Sequence, residues 1–275
     1  MKSSSEKVSV IIPVYNASRW AESIVDSINS NFARIGEVLL VNDGDEKDFI
    51  EFFKKVQASI NIPIRNFSSQ GKEGPGKARN IGMDYASFEY IAFHDCDDVW
   101  SAGSLEKRLE LLDRNDRAPF VYSSYYRINM NGQVTNLTIV PPVAKLENLF
   151  VTNFIFLSSV IARRTSVGEM RFKEIGHEDY DFWLRLIIAS GANAVGLKNP
   201  VCNLRAVHGS VSSVKSQAAK WHYRILRSND IPLVLRLLLF TSYSINGLLK
   251  RKIYKYRPFF FCLDRLVGLW LSQRH

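Results

Sequence analysis

The chain has 275 residues, 46% of them hydrophobic and 23% charged, with a formal net charge of +9 at pH 7. That length and apolar content fit one sizeable core with an appendage, and argue against a disordered or fibrous chain. No apolar run reaches the roughly 18–20 residues of a membrane-spanning helix, MKSSSEK lacks the apolar stretch of a signal peptide, and Cys96, Cys202 and Cys262 show no CxxC spacing, so a reducing cytoplasmic setting is expected.

The predicted elements follow in chain order. Val8 to Asn16 (VSVIIPVYN) is a continuous apolar run closed by polar residues, the pattern of a strand buried on both faces. Ala21 to Phe32 carries Ile24, Val25, Ile28 and Phe32 at helical spacing. Glu37 to Gly44 reads as a second buried strand ending in the turn Asn42-Asp43-Gly44. Asp48 to Val56 predicts a helix, and Ile62 to Phe67 a weak third strand. Gly71 to Asn80 reads as a glycine-rich basic loop running into a helix near Ile81 to Ala86. Ile91 to Trp100 is a short buried strand ending in Asp95, Asp97 and Asp98.

The second half is plainer. Ser104 to Leu112 predicts an amphipathic helix, and Pro119 to Ile128 a strand with a hairpin turn at Asn131-Gly132. Leu146 to Asn153 predicts a helix, and Phe154 to Ala162 a strand ending in Arg163-Arg164. A helix beginning near Asp179 would bury Phe182, Trp183, Leu186 and Ile187. Strands alternating with helices imply an α/β fold with a mostly parallel sheet. Ligands of such sheets bind beyond the carboxyl ends of the strands. Pro13 and Tyr15, Asn42 and Asp43, and the three aspartates all fall at such ends, so three polar tips converge on one crevice.

Like charges as close as Asp95, Asp97 and Asp98 repel, and desolvating them costs more. A cation relieves that repulsion, and an all-oxygen donor set favours Mg²⁺ or Mn²⁺ completed by substrate phosphates. A solvated acidic turn is the plainer alternative. Lys72, Lys77 and Arg79 bring positive charge to a glycine loop before a helix N-terminus, which suits a nucleotide diphosphate. The Gly-Lys-Ser/Thr ending of a P-loop is missing.

The order VSVIIPVYN, LLVNDG, GPGKARNIGMDYA, YIAFHDCDDVW, GHEDYDFWLR resembles family 2 inverting glycosyltransferases of the GT-A fold, over roughly residues 7 to 215. The resemblance implies a Rossmann-like α/β sheet flanked by helices, with a C-terminal helical appendage. A catalytic domain would span 1–225, with a nucleotide-binding half to about 115 and an acceptor half over 116–225. By the same resemblance Pro13, Tyr15 and Asp43 hold the nucleoside. Asp95, with Lys72, Lys77 and Arg79, serves the diphosphate, and Asp97 and Asp98 serve the metal. The stretch Leu204 to Ser213 resembles the family's R-x-x-H-x-S-x-S closing segment, which puts Arg205 on the diphosphate and His208 on the metal. The acidic pair Glu178-Asp179 supplies the catalytic base, Asp179 first and Glu178 next, with Asp181 a third candidate. Two departures stand out. Asn42 replaces one of two usual aspartates, and His94 and Cys96 replace an apolar residue and Ser; the reading for Cys96 is packing, and for His94 a buried neighbour of the site.

Residues 231–275 hold eight Lys/Arg and one acid, so +7 of the +9 lies in the tail, among apolar blocks too broken to span a bilayer. A basic amphipathic tail over 226–275, lying on an anionic membrane surface, is expected. A helical pair packed on the domain or on a second copy in a homodimer is the alternative, and nucleic acid ranks below both because the tail is so apolar. These readings combine into a hexosyl- or N-acetylhexosaminyltransferase. It would use a nucleotide-sugar donor, UDP-linked foremost, and a lipid-linked glycan acceptor in surface polysaccharide synthesis, at the inner face of the cell membrane. The string Asp95 to Val99 also fits an aspartate-nucleophile phosphotransferase, and Asn42 leaves open a non-catalytic nucleotide-binding scaffold.

Overall fold

The two apolar runs near the N-terminus form adjacent parallel strands of one sheet. In the computed structural model, described over residues 7–205, 215–229, 231–249 and Trp270, β1 (Val8–Val14) is buried along its whole length. It lies between β2 (Ile35–Asn42) and β4 (Tyr90–Phe93), and β3 (Ile64–Ser68) adds to β2; all three pairings are parallel. Strands with both faces covered are mostly apolar, which is why β1, β2 and β4 show no alternation, and the buried Ser9 and Glu37 in them pair with each other at 2.7 Å.

The second half of the sheet is mixed. It comprises β5 (Val99–Trp100), β6 (Phe120–Ile128), β7 (Val134–Thr138), β8 (Val143–Ala144), β9 (Ile161–Arg163) and β10 (Ala194–Arg205). The strand order is β3-β2-β1-β4-β9-β6-β10-β5, with β7 on β6 and β8 on β10. The long β6–β10 ladder is parallel, whereas β9 runs antiparallel to β4 and β6. β10 was not legible in sequence because Lys198-Asn199-Pro200 interrupt it. The ladder absorbs them as an irregularity between Leu197 and Cys202.

The helices are α1 (Ala21–Asn29), α2 (Glu46–Ser59), α3 (Pro75–Tyr85), α4 (Ser104–Asp113), α5 (Leu146–Val151), α6 (Arg164–Val167), α7 (Glu178–Ser190), α8 (Lys215–Ser228) and α9 (Leu233–Leu249). Asp45 starts α2 by accepting the N–H groups of Lys47 and Asp48. α3 begins at Pro75, well before the expected Ile81. Proline has the φ of a first helical turn and lacks the N–H that such a turn leaves unpaired. Residues Gly76 to Asn80, expected in a loop, are therefore helical. Gly82 lets α3 approach β1 closely, since a β-carbon there would overlap Ile11.

One further expectation is corrected. Phe154 to Ala162 is not one strand: Leu157–Ser159 is a single helical turn and only Ile161–Arg163 is extended. That turn lets Ser158 face the acidic loop, as described below. On α8 and α9, Ile225, Leu226, Leu235 and Leu239 are buried. The described part of the tail thus contributes to the core.

Candidate active site

The acidic turn between β4 and β5 carries its three aspartates in three environments. The Asp95 carboxylate accepts from the Arg79 guanidinium at 2.7 Å. Asp98 is turned inward. It is 1% exposed and accepts from the Ser158 hydroxyl at 2.6 Å and the Arg205 backbone N–H at 3.2 Å. Burial, then Asp95 and Asp97, hold its carboxyl well above the usual range. Asp97 is half-buried, and burial followed by the Asp95 charge pushes it up. It forms no ion pair among the described residues.

The neighbours of the turn are packing residues. His94 is fully buried against Trp100, with Nδ1 2.8 Å from the Asp95 carbonyl oxygen, and burial pushes it down to about 4. The Cys96 thiol donates to the Pro13 carbonyl at 3.2 Å. Pro13 is itself buried in β1, while Tyr15, just beyond its end, is 53% exposed. Arg205 braces the turn from β10. Its Nε donates to the Asp97 carbonyl at 2.9 Å, and its guanidinium lies 4.8 Å from the Trp20 ring.

Asp43 ties the end of β2 to the glycine loop. It is buried and accepts from the Ser69 hydroxyl at 2.7 Å and from the backbone N–H groups of Glu73 and Gly74 at 2.9 Å. Gly74 has φ +92, a conformation glycine adopts without strain. Asn42 has its own reason to differ from aspartate. Its carbonyl accepts from Gly44, and its amide lies 3.4 Å from the Glu46 carboxylate, where a second acid would repel. Asp43→Ala is therefore expected to loosen residues 69–74 and to weaken binding of a free nucleoside diphosphate together. A calorimetric titration checks the affinity and limited proteolysis checks the loop; unchanged affinity with a loosened loop would make Asp43 a loop clasp alone.

The basic residues of that segment separate. Lys72 and Lys77 are exposed, and Lys77 pairs with Glu73 at 3.6 Å. Arg79 is 5% exposed, placed by α3 beneath the site, and bridges two acidic motifs: Asp95 at 2.7 Å and Glu178 at 3.3 Å. Burial would lower its pKa, but Asp95 and Glu178 more than offset this and raise it. Phe172 lies 5.6 Å from its guanidinium. One cation thus joins the acidic turn to the start of α7.

At that helix start, Glu178 is engaged by Arg79, while Asp179 is half-buried, with Asn153 Nδ2 at 3.4 Å, the Tyr180 backbone N–H and the His177 ring beside it. Burial raises both carboxyls; Arg79 opposes the rise at Glu178, and His177 opposes it at Asp179. Asp181 faces the other way. It is fully buried and accepts from Arg185 Nε at 2.6 Å, Asn229 at 3.3 Å and Ser228 at 3.4 Å. Among the described residues, Asp179 is thus the first-turn acid with no ion pair.

His208 lies outside the described residues, as does most of the sequence beyond 249. Among the described residues no group of three or more His, Cys, Asp and Glu is gathered as a metal cage. The turn still fits a divalent cation shared with a substrate. Asp97 keeps a hard carboxylate that burial and Asp95 leave short of compensating charge. Asp98, its oxygens occupied by Ser158 and Arg205, is better placed to shape the turn than to contact an ion.

Ser158 was missed in the sequence. Its hydroxyl donates to Asp98 and accepts from the Asp95 N–H at 3.0 Å, while its carbonyl takes Trp100 Nε1 at 2.7 Å and the fully buried Arg108 at 3.1 Å. The signal available was a serine pair inside an apolar run. Asn153 and Trp20 gave no signal at all.

Comparisons with known proteins show the family and the fold. The model of "Glycosyl transferase family 2" matches residues 9–175. An Escherichia coli protein, UDP-Glc:alpha-D-GlcNAc-diphosphoundecaprenol beta-1,3-glucosyltransferase WfaP, is 31% identical over 246 residues, covering 89% of this chain and 95% of that one. An uncharacterized glycosyltransferase of Haemophilus influenzae is 28% identical over 247 residues, covering 89% and 98%. Among solved structures, S. aureus TarS 1–349 in complex with UDP-GlcNAc shares the fold with a TM-score of 0.65 at 16% identity, over 92% of this chain and 78% of that one. Mannosyltransferase PcManGT from Pyrobaculum calidifontis, in complex with GDP-Man and Mn2+, gives 0.61 at 13% identity, over 96% and 80%.

Proposed function

The chain belongs to glycosyl transferase family 2, and from that premise we propose that it transfers a hexose or N-acetylhexosamine, with inversion, from a UDP-sugar to a hydroxyl of a lipid-linked glycan in surface polysaccharide synthesis. The observation that carries the reading is Arg79, which holds a donor-side carboxylate, Asp95, and a base-side carboxylate, Glu178, on one guanidinium. A donor diphosphate at the acidic turn and an acceptor hydroxyl at the start of α7 would then meet across that cation.

In this scheme Asp43 and Tyr15 flank the nucleoside. Asp179 removes the proton from the acceptor hydroxyl, whose oxygen attacks the anomeric carbon from the face opposite the diphosphate. The bond from that carbon to the diphosphate oxygen breaks, and the nucleoside diphosphate leaves with the electron pair. Arg79 holds Glu178 away from the proton, so the two acids divide the work. Arg205 keeps the turn in shape through Asp97 and Asp98. Asp97, with Asp95 beside it, would hold Mg²⁺ or Mn²⁺, which when bound offsets charge on the departing diphosphate.

The acceptor assignment leans on the E. coli relative, named for a diphosphoundecaprenol-linked acceptor, and on α9. Among the described residues no helix is long and apolar enough to cross a membrane. α9 nevertheless exposes Leu233, Val234, Leu237 and Leu238 on one side, each at least 44%. An apolar ridge beside a basic sequence suits a helix lying on anionic lipid. The protein is expected to sediment with vesicles containing phosphatidylglycerol. High salt should weaken that only partly, and Leu237→Asp with Leu238→Asp should weaken it strongly. A protein that ignores vesicles would remove the membrane from the reading and leave the transferase.

The reading as a whole is tested by incubating the full chain with nucleotide sugars and a diphosphate-lipid-linked GlcNAc acceptor. Metal-dependent release of nucleoside diphosphate together with a lengthened glycan is expected. Phosphate release from simple monoesters without sugar transfer would favour a phosphotransferase. Donor binding without turnover would favour a scaffold.

A further inference from the structure

The backbone that delivers Asp179 is unusual. Gly176 and His177, immediately before α7, both have left-handed φ, +74 and +47. For a histidine that conformation persists only where its surroundings impose it. The surroundings are supplied by α8. The Trp221 indole lies flat against Gly176, so close that a β-carbon there would overlap it, and it meets the His177 ring edge-on at 5.0 Å.

The rest of the C-terminal helix pair holds the same stretch. Asp181 accepts from Ser228 and Asn229 at the end of α8. The His222 ring stacks on Tyr180, centroids 5.5 Å apart, and on Tyr243 of α9 at 3.8 Å. Residues 176, 177, 180 and 181 are therefore each held by α8, and Asp179 sits among them, with no ion pair among the described residues.

We infer that Trp221 is a positioning residue for the base. Its indole clamps Gly176 and His177 in the left-handed turn that aims the Asp179 carboxylate at the acceptor, so the C-terminal helix pair completes the active site. This rests on Asp179 being the base. A base displaced by about 1 Å loses on the order of 10² in rate without any change in donor binding.

The test uses the full-length chain. Trp221→Ala is expected to lower kcat for transfer by about 10²-fold, with UDP affinity unchanged by calorimetry and with faster amide hydrogen exchange confined to residues 174–182. Trp221→Phe, which keeps a flat ring, should recover most of the rate. Gly176→Ala should reproduce the loss, and the double variant should fall no further than the worse single one, because both act through one contact. Normal transfer by Trp221→Ala would overturn the inference, as would a rate loss matched by equal loss of UDP binding and by exchange throughout the sheet. Should Trp221→Ala fail to fold, Trp221→Phe and Gly176→Ala decide by the same readouts. A wild type that transfers no sugar defeats the transferase reading, and unchanged exchange at 174–182 then still overturns the clamp.

Discussion

Asp179→Asn is expected to cut sugar transfer by about 10²–10⁴-fold while donor affinity stays near normal. Asparagine keeps the size and can still receive the Asn153 amide, but it cannot take the acceptor proton. Glu178→Gln should behave differently. It removes one of the two carboxylates on Arg79, so it should disturb donor geometry and transfer together. The pH profile gives a second check. Burial raises the Asp179 carboxyl, so the rate should fall on the acid side at a pH above the ordinary aspartate range, and that limb should vanish from the residual rate of Asp179→Asn. The same raised value opposes folding at neutral pH and eases as the group is protonated on acidification. Steady-state kinetics with donor and acceptor varied separately checks both variants. If Asp179→Asn transfers normally while Glu178→Gln is dead, the base is Glu178, and Arg79 would have to release it on substrate binding.

Asp97→Ala is expected to abolish transfer, and excess EDTA to do the same to the wild type, with recovery on adding Mn²⁺ or Mg²⁺. Among the described residues, Asp97 is the carboxylate of the turn with neither an ion pair nor an inward-facing set of donors, so its removal would cost the metal that offsets the diphosphate charge. Asp98→Asn provides the contrast. Its carboxylate is occupied by Ser158 and the Arg205 N–H, so the variant should lose thermal stability or turn geometry before it loses metal affinity. Titrating Mn²⁺ into each variant by electron paramagnetic resonance separates the two aspartates. Full wild-type activity in excess EDTA would remove the metal from the mechanism while leaving the base assignment standing.

The sequence alone determined the N-terminal half of the sheet. β1, β2 and β4 are runs of consecutive apolar residues, and only strands covered on both faces need such runs. Once they are read as parallel, their polar ends must share one edge, and Asp43 and Asp95 to Asp98 fall together without further information. The hairpin at Gly132 and the helix at Ser104 were legible for the same reason: turn chemistry and helical spacing are local. The segregation of charge into the tail was also plain, being a matter of composition.

Tertiary structure decided what each acid touches. Arg79 and Glu178 are 99 positions apart, and no local pattern reports that a helix starting at Pro75 buries a guanidinium between two motifs. Asp97 and Asp98 are adjacent in sequence, yet one keeps an uncompensated carboxylate and the other is sealed by Ser158 and Arg205, because successive side chains of a turn point in different directions and meet different neighbours. The tail shows the same limit. Its apolar residues predicted a surface helix, but whether a leucine faces lipid or core depends on what packs beneath it. Leu235 and Leu239 are buried while Leu237 and Leu238 remain exposed, and Trp221 reaches the left-handed turn at Gly176 and His177 only because the chain returns α8 to the start of α7. Periodicity is a property of neighbours along the chain, whereas charge pairing and burial are properties of neighbours in space.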